Sequence, residues 1–293
     1  MPARAGVLYD PGLGTAPASQ GWKYVPNPNN GPVIEGLTPT AVVLDSSADR
    51  LDRAGYFSRL PTIPPLPPFA QHPGIPVLDR NVGFTLTFDA VVVSEGHNAR
   101  DDNGDGLHDR AGFSVIIVCQ DLAAIEVAMF EDRVWAQEDD ASAAIEMFTQ
   151  AEGVAFDTTA GARYGLTIEG GMYTLRAGSV VILSGPLRSY VNLPGTGGLV
   201  YKTAGMVFLG DDTGSADAVV GIGEVRIDVP ALDYCPGDVN GDGATNVADF
   251  TQLAANFGMG VSPGRAGDLT ADGVVDAADF TVLAGNFGCI AGP

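Results

Sequence analysis

Two closely similar segments, offset by 30 residues, lie near the end of the 293-residue chain: Asp238 to Gly258 reads DVNGDGATNVADFTQLAANFG and Asp268 to Gly288 reads DLTADGVVDAADFTVLAGNFG. In both, oxygen-bearing side chains stand at loop positions one, three, five, nine and twelve, with glycine at six. Side chains that converge every second residue, a sharp turn at glycine and a closing carboxylate can wrap a hard cation that takes about six to eight oxygen ligands. This is the spacing of an EF-hand-type calcium loop. The first loop offers Asp238, Asn240, Asp242, Asn246 and Asp249, with the Ala244 carbonyl at position seven. The second offers Asp268, Thr270, Asp272, Asp276 and Asp279, with the Val274 carbonyl. Two calcium ions are expected.

Each loop runs into a predicted helix. Phe250, Leu253 and Phe257, and then Phe280, Leu283 and Phe287, recur at three- and four-residue steps before Gly258 and Gly288 end the turn. Two such helices are expected to bury their apolar stripes against each other. Over about the last 55 residues the sequence resembles a type I dockerin. The resemblance implies two bound calcium ions and, in cellulosome systems, docking onto a cohesin partner. That family often recognises cohesin through hydroxyl residues just before position twelve and basic residues on the helix. Here Val247-Ala248 and Ala277-Ala278 stand there and the helices lack Lys and Arg, so the resemblance carries calcium binding further than cohesin recognition.

Cys235 lies three residues before the first loop and Cys289 directly after the second helix, so a bridge between them would clasp the ends of the module. Such a bridge implies an oxidising compartment. Cys119, in the apolar run Val115 to Gln120, is left over as a buried apolar residue.

Upstream the composition is different. From about Val42 to Val229 short apolar or alternating runs are separated by turn residues: Gly83 to Val93, Ala111 to Cys119, Ala124 to Phe130, Arg133 to Gln137, Arg163 to Glu169, Met172 to Arg176, Val180 to Leu183, Met206 to Leu209 and Ala218 to Val229. Many strands at such spacing predict a sandwich or barrel. Phe84, Leu86, Phe88 and Ala90 alternate with Thr85, Thr87 and Asp89, which sets one face on a core, whereas Ser114 to Val118 reads as buried on both faces. Gly170-Gly171 predicts a tight hairpin through the positive φ values glycine adopts. The proline cluster within Leu60 to Val77 predicts an extended surface loop. The expected domains are 1–233 and 234–293.

The formal charge of −21, from 36 acidic against 15 basic side chains, disfavours binding to DNA, RNA or anionic lipid and favours divalent cations. No apolar run approaches the roughly 20 residues of a membrane helix. The first residues, Met1 to Gly14, carry no basic-then-apolar segment and read as a mature form or fragment whose export signal has been removed.

A third loop, Asp101 to Asp109, places Asp101, Asn103, Asp105 and Asp109 at positions one, three, five and nine, with glycine at six and the Leu107 carbonyl at seven. Position twelve is Gly112, so a third calcium there would need its last ligand from another strand or bind weakly. His97 and His108 flank this loop, but the surrounding hard oxygens argue against zinc.

The stretch AIEVAMFEDRVWAQ predicts a hairpin turning at Glu131-Asp132, pairing Phe130 with Arg133, Ala128 with Trp135 and Glu126 with Gln137. Glu126, Arg133, Trp135 and Gln137 on one face could form a sugar-binding groove, with the tryptophan as aromatic platform; the alternative is a core tryptophan. Glycoside hydrolysis needs a second carboxyl group, and the strand from Glu126 supplies only Ala128 and Phe130 at alternating positions. The partner would come from another strand, such as Asp89 or Glu95. No serine nucleophile motif and no cysteine–histidine pairing is evident.

The segments YDPGLGTAPASQGW, LDRNVGFTLTF, DRAGFSVIIV, IEVAMFEDRVWAQ, FDTTAG and MVFLGDDT resemble the secreted concanavalin A-like, laminin-G-type jelly-roll domains that accompany dockerin-like tails in planctomycete-type bacteria. The expected architecture is therefore mainly β, a concanavalin A-like jelly-roll sandwich with a small all-α C-terminal dockerin-like domain. The expected function is that of a secreted or cell-surface calcium-binding protein, non-catalytic, whose sandwich binds a glycan or surface ligand and whose tail attaches to a cohesin-like or cell-surface protein. The alternatives are an extracellular assembly component and a polysaccharide hydrolase acting through Glu126.

Overall fold

The computed structural model describes all residues except 1–3, 29–31, 61–70, 140–147, 194–196, 231–234, 263–265, 271 and 292–293. Most of the proline cluster lies outside the described residues. Two compact units emerge, one spanning Ala5–Val229 and the other including Pro230–Pro293.

The larger unit holds fifteen strands: β1 (Arg4–Tyr9), β2 (Lys23–Asn27), β3 (Ile34–Leu37), β4 (Val42–Asp45), β5 (Arg53–Phe57), β6 (Phe84–His97), β7 (Ser114–Val118), β8 (Ala124–Met129), β9 (Arg133–Gln137), β10 (Gln150–Ala155), β11 (Ala162–Glu169), β12 (Met172–Ala177), β13 (Val180–Pro186), β14 (Met206–Asp211) and β15 (Ala216–Val229). One antiparallel sheet runs β13-β12-β11-β6-β15-β4-β3, with β1 also on β15; the other runs β10-β9-β8-β7-β14-β5-β2. All nine runs read from the sequence are strands.

The sheets are held by apolar side chains at alternate positions, since burying each such side chain is worth about 1.5–3 kcal/mol. Phe84, Leu86, Phe88, Ala90 and Val92 of β6 point into a core shared with Ile125, Val127 and Met129 of β8. The remaining positions of β7 and β8 are buried as well. A second apolar cluster of Ile116, Val118, Tyr190, Tyr201, Met206 and Phe208, joined by the partly buried Phe148, covers that outer face. This layer explains why Ser114 to Val118 reads as apolar on both sides. The hairpin at Gly170-Gly171 joins Glu169 to its partner Met172. Only Gly170 uses the left-handed region, at φ 57°, rather than both glycines.

Gly112, the residue at position twelve of the third loop, faces the backbone of Asp217: an added Cβ would lie 2.1 Å from the Asp217 carbonyl carbon. No side chain fits there, so the loop cannot close on its own twelfth residue. Gly112→Ala is expected to destabilise the sandwich by about 3 kcal/mol, at the upper end of overpacking costs, measured by urea denaturation. A wild-type midpoint in this variant would show that the two segments separate freely.

In the smaller unit, helices α1 (Val247–Ala255) and α2 (Ala277–Gly285) start at Asn246 and Asp276, each with a complete capping box closed by Asp249 or Asp279. Among the described residues its buried apolar core is Leu253, Val275 and Leu283, with Val239, Val261 and Leu269 packed beside it. The phenylalanines are not buried as the periodicity suggested. Phe250 and Phe280 are 43% exposed, touching edge to face at 5.9 Å, and Phe257 and Phe287 are 55% exposed. The helices are too short to bury a full stripe, and the loops supply the remaining core.

Each calcium-type loop is zipped to the segment that follows the helix of the other copy. In the first loop the Thr245 N–H donates to the Cys289 carbonyl, and the Gly288 N–H donates back to Thr245. In the second the Val275 N–H donates to Met259, and the Gly258 N–H donates to Val275. Cys235 and Cys289 form a disulfide, with Cα atoms 5.7 Å apart. Cys119 is free and buried, as expected for a core residue, and burial pushes its thiol up to about 12.

Candidate functional site

In the first C-terminal loop the Asp238 carboxylate accepts from the backbone N–H groups of Gly241 (2.7 Å), Asp242 (3.1 Å) and Gly243 (2.8 Å). Asp249 accepts from Val239 and Asn240 through Oδ1 and from Asn246 through Oδ2. These bonds use backbone donors to hold like charges together, and the oxygens of Asp238, Asp242 and Asp249 lie within 4.8 Å of one another. Such crowding of acids is costly without a cation, so this donor set fits calcium. The second loop repeats the frame: Asp268 accepts from Asp272 and Gly273, and Asp279 from Leu269, Thr270 and Asp276. Its Thr270 hydroxyl donates to Asp279 at 3.1 Å.

The third loop repeats the turn of the first around its leading acid. Asp101 accepts from Gly104 (2.7 Å), Asp105 (3.1 Å) and Gly106 (2.9 Å), Asn103 accepts from Asp105, and the Leu107 N–H donates to Asp105. The Asp109 carboxylate accepts from the Asp102 N–H at 2.7 Å, the role Asp249 plays toward Val239. Asp109 also accepts from the Gln150 N–H at 3.3 Å, and among the described residues three acidic side chains gather their oxygens within 4.8 Å in the first C-terminal loop but not in this one. His97 and His108 meet in a ring-to-ring hydrogen bond of 2.9 Å, and His97 is paired with Glu95 at 2.6 Å.

The hairpin register follows the sequence reading, with Ala128 opposite Trp135 and Phe130 donating its N–H to Arg133. The groove does not. Trp135 is fully buried beneath Phe130, at a ring distance of 4.4 Å, and His97 stacks on Phe130 in turn at 4.0 Å. It has no open face for a sugar ring and belongs to the core. The Arg133 guanidinium is occupied by the Gln150 amide oxygen at 2.6 Å.

Glu126 and Gln137 instead line a pocket of about 350 Å³ on the outer face of the β10–β2 sheet, together with Phe57, Phe148, Tyr201, Phe208 and Asp212. The Tyr201 hydroxyl lies 2.5 Å from Glu126 Oε2 and 3.3 Å from Asp212 Oδ2, so a single phenol bridges two carboxyl groups. The Ser114 hydroxyl donates to Asp212 at 3.2 Å. The carboxyl group that the fold brings to Glu126 is Asp212, rather than Asp89 or Glu95. Asp89 is bound to Arg163, and Glu95 to His97. Asp212 directly follows β14 and Tyr201 lies in a short 3-10 turn; no strand periodicity marks either one, and only the fold brings them to Glu126.

Arg110 ties the third loop to this pocket. Its guanidinium donates to Asp102 (2.9 Å), to the Asp109 carbonyl (2.9 Å) and to the carbonyl of the pocket wall residue Phe148 (2.6 Å).

Burial, reinforced by the neighbouring Asp212, holds Glu126 well above the usual carboxylate range, and burial raises Asp212 as well. Tyr201, Ser114 and Arg110 oppose this but do not overcome it. A carboxyl group raised on folding contributes stability that is full below its unfolded value of 4.5 and is lost as pH rises through the folded value. Glu126→Gln, uncharged throughout, is expected to flatten the fall in sandwich stability as pH rises above 4.5 and to be more stable than the wild type at the alkaline end by on the order of 1 kcal/mol. Calorimetry of both proteins across that range checks this, and parallel curves would refute it.

The class defined by these features is a two-sheet antiparallel sandwich followed by a duplicated loop–helix module. Residues 236–287 match the family described as dockerin type I domain, and the C-terminal unit carries that domain. Type I dockerin domains bind calcium, and dockerin domains bind cohesin partners.

Among solved structures, a type II cohesin-dockerin domain from Bacteroides cellolosolvens is 40% identical over 20% of this chain and 92% of its own, with a TM-score of 0.18. A β-glucanase from Bacillus licheniformis is similar over 77% of this chain and 98% of its own, at 10% identity and a TM-score of 0.38. A protein with a galectin-like fold from Bacillus subtilis is similar over 78% of this chain and 98% of its own, at 10% identity and a TM-score of 0.39. No curated protein matches the chain in sequence. Among the described residues, no helix is long and apolar enough to cross a membrane.

Proposed function

We propose that this chain is an extracellular, calcium-dependent attachment protein: the C-terminal unit docks onto a cohesin-like or cell-surface protein, and the sandwich it carries binds a glycan. The observation that carries the reading is the duplicated loop, in which backbone N–H groups hold Asp238, Asp242 and Asp249 together as a calcium cage directly ahead of a capped helix. One ion is assigned to each C-terminal loop and a third to Asp101, Asn103, Asp105 and Asp109, with the carbonyls of Ala244, Val274 and Leu107 at position seven of their loops.

With no Lys or Arg on α1 or α2, the docking surface is apolar, built on the exposed Val247, Phe250 and Phe280. Arg110 gives the sandwich a reason to need calcium as well, because it links the acidic loop to the pocket wall at Phe148.

Retention of the full chain on a glycan array with calcium and with chelator, scored also for released sugar, tests the sandwich. Binding of a cohesin-module panel under the same two conditions tests the tail. Calcium-dependent capture in both supports the reading, whereas capture of neither refutes it. The pairing of Glu126 with Asp212 favours a second reading, a polysaccharide hydrolase, in which the neutral acid protonates a leaving oxygen. Sugar release that Glu126→Gln abolishes would select that reading, and retention without release would select the first.

A further inference from the structure

The pocket beside Glu126 has a polar side and an apolar side. On the polar side Gln137, 3% exposed, has a side-chain oxygen with no hydrogen-bond partner among the described residues. A buried acceptor left unpaired costs about 1–3 kcal/mol, so a site that keeps one is built to receive a donor. Beside it lie Glu126 and Asp212, acceptors joined through Tyr201. The nearby cation, Arg110, has its guanidinium committed to Asp102 and to two backbone carbonyls. On the apolar side stand the rings of Phe57 and Phe208, 4.6 Å apart, and of Phe148. The volume, about 350 Å³, suits one ring-sized ligand rather than a bound chain.

We infer that this pocket is a binding subsite for a single neutral polyhydroxylated ring, a sugar residue whose hydroxyls donate to Gln137, Glu126 and Asp212 while its C–H face lies on the phenylalanine rings. With the Arg110 guanidinium committed to Asp102 and two carbonyls, the pocket offers an anion no free cation. Burial holds Glu126 and Asp212 toward their neutral forms, which removes the field an organic cation would need. The inference rests on the glycan-binding reading above and names its site.

The test uses the full chain in calcium buffer, titrated calorimetrically with glucose, galactose, mannose and xylose, with glucosamine as the cationic arm and glucuronate as the anionic arm. Retention on neutral polysaccharides is measured in parallel. Two variants accompany the wild type. Gln137→Met keeps the volume and removes the acceptor, and Asn27→Trp blocks the rim from an exposed position. The expected result is saturable binding of at least one neutral sugar, weakened at least tenfold by Gln137→Met and lost in Asn27→Trp with an unchanged melting temperature.

Neutral-sugar or polysaccharide binding that survives Asn27→Trp would overturn the subsite and leave the glycan reading standing. Tighter binding of glucosamine or glucuronate than of any neutral sugar would overturn the ligand class. Absence of any carbohydrate binding would overturn both the subsite and the reading it rests on.

Discussion

Chelating calcium from the full chain is expected to unfold the C-terminal unit while leaving the sandwich folded. Among its described residues the unit's apolar core is Leu253, Val275 and Leu283, and each is worth about 1.5–3 kcal/mol. Against this stands the ordering entropy of every fixed residue, about 1–2 kcal/mol for the backbone alone. Without cations, the oxygens of Asp238, Asp242 and Asp249 remain within 4.8 Å of one another as like charges with no counter-ion between them. A cation that binds only the folded form adds about 4 kcal/mol per site at a thousand times its dissociation constant. Calorimetry should show two transitions in calcium, of which one disappears in chelator. Asp249→Ala should lose most of the same transition in calcium, because Asp249 also holds the N–H groups of Val239, Asn240 and Asn246. A helical signal from α1 and α2 that persists in chelator would sink this account.

Breaking the Cys235–Cys289 bridge should cost nearly as much. The two residues are separated by 54 positions, and in the chain-entropy model closing a loop of that length removes about 4 kcal/mol of disorder from the unfolded chain. Since the core is small, the expected outcome of replacing both cysteines by serine is a unit that folds only at saturating calcium and melts well below the wild type. Denaturant titrations in calcium, with and without reductant, give the number directly. Cys119 is fully buried and does not complicate the experiment. An unchanged midpoint after reduction would mean that the unfolded chain is already held compact.

The C-terminal unit was almost fully legible in the sequence because its ligands, glycines and caps are local, each set by spacing within one loop. Burial of Phe250 and Phe280 was misjudged, since periodicity tells which residues share a face but not whether anything covers it. The long strands were equally legible. Those that escaped, β1, β2, β3, β4, β5 and β10, are six residues long or less; β2 carries Pro26 and β5 carries Gly55, whose missing Cβ makes room for the Phe208 ring. The candidate pocket was only half legible. Glu126 and Gln137 sit on adjacent strands of one hairpin, so their alignment could be read, but Tyr201 and Asp212 reach them across a distance in sequence that no pattern encodes. Trp135 was indistinguishable from an exposed platform until Phe130 and His97 were seen stacked over it.

The exchange of backbone pairings between the two C-terminal copies has a consequence for how the site fills. Thr245 is gripped by the stretch after α2, and Val275 by the stretch after α1. Neither copy is therefore a complete receptor, and the first ion to arrive must order residues that belong to the other's cage. Occupancy should rise more steeply with calcium than two independent equilibria allow, with a Hill coefficient above 1, so that the tail acts as a threshold device: inert in calcium-poor surroundings and fully armed over a narrow concentration range.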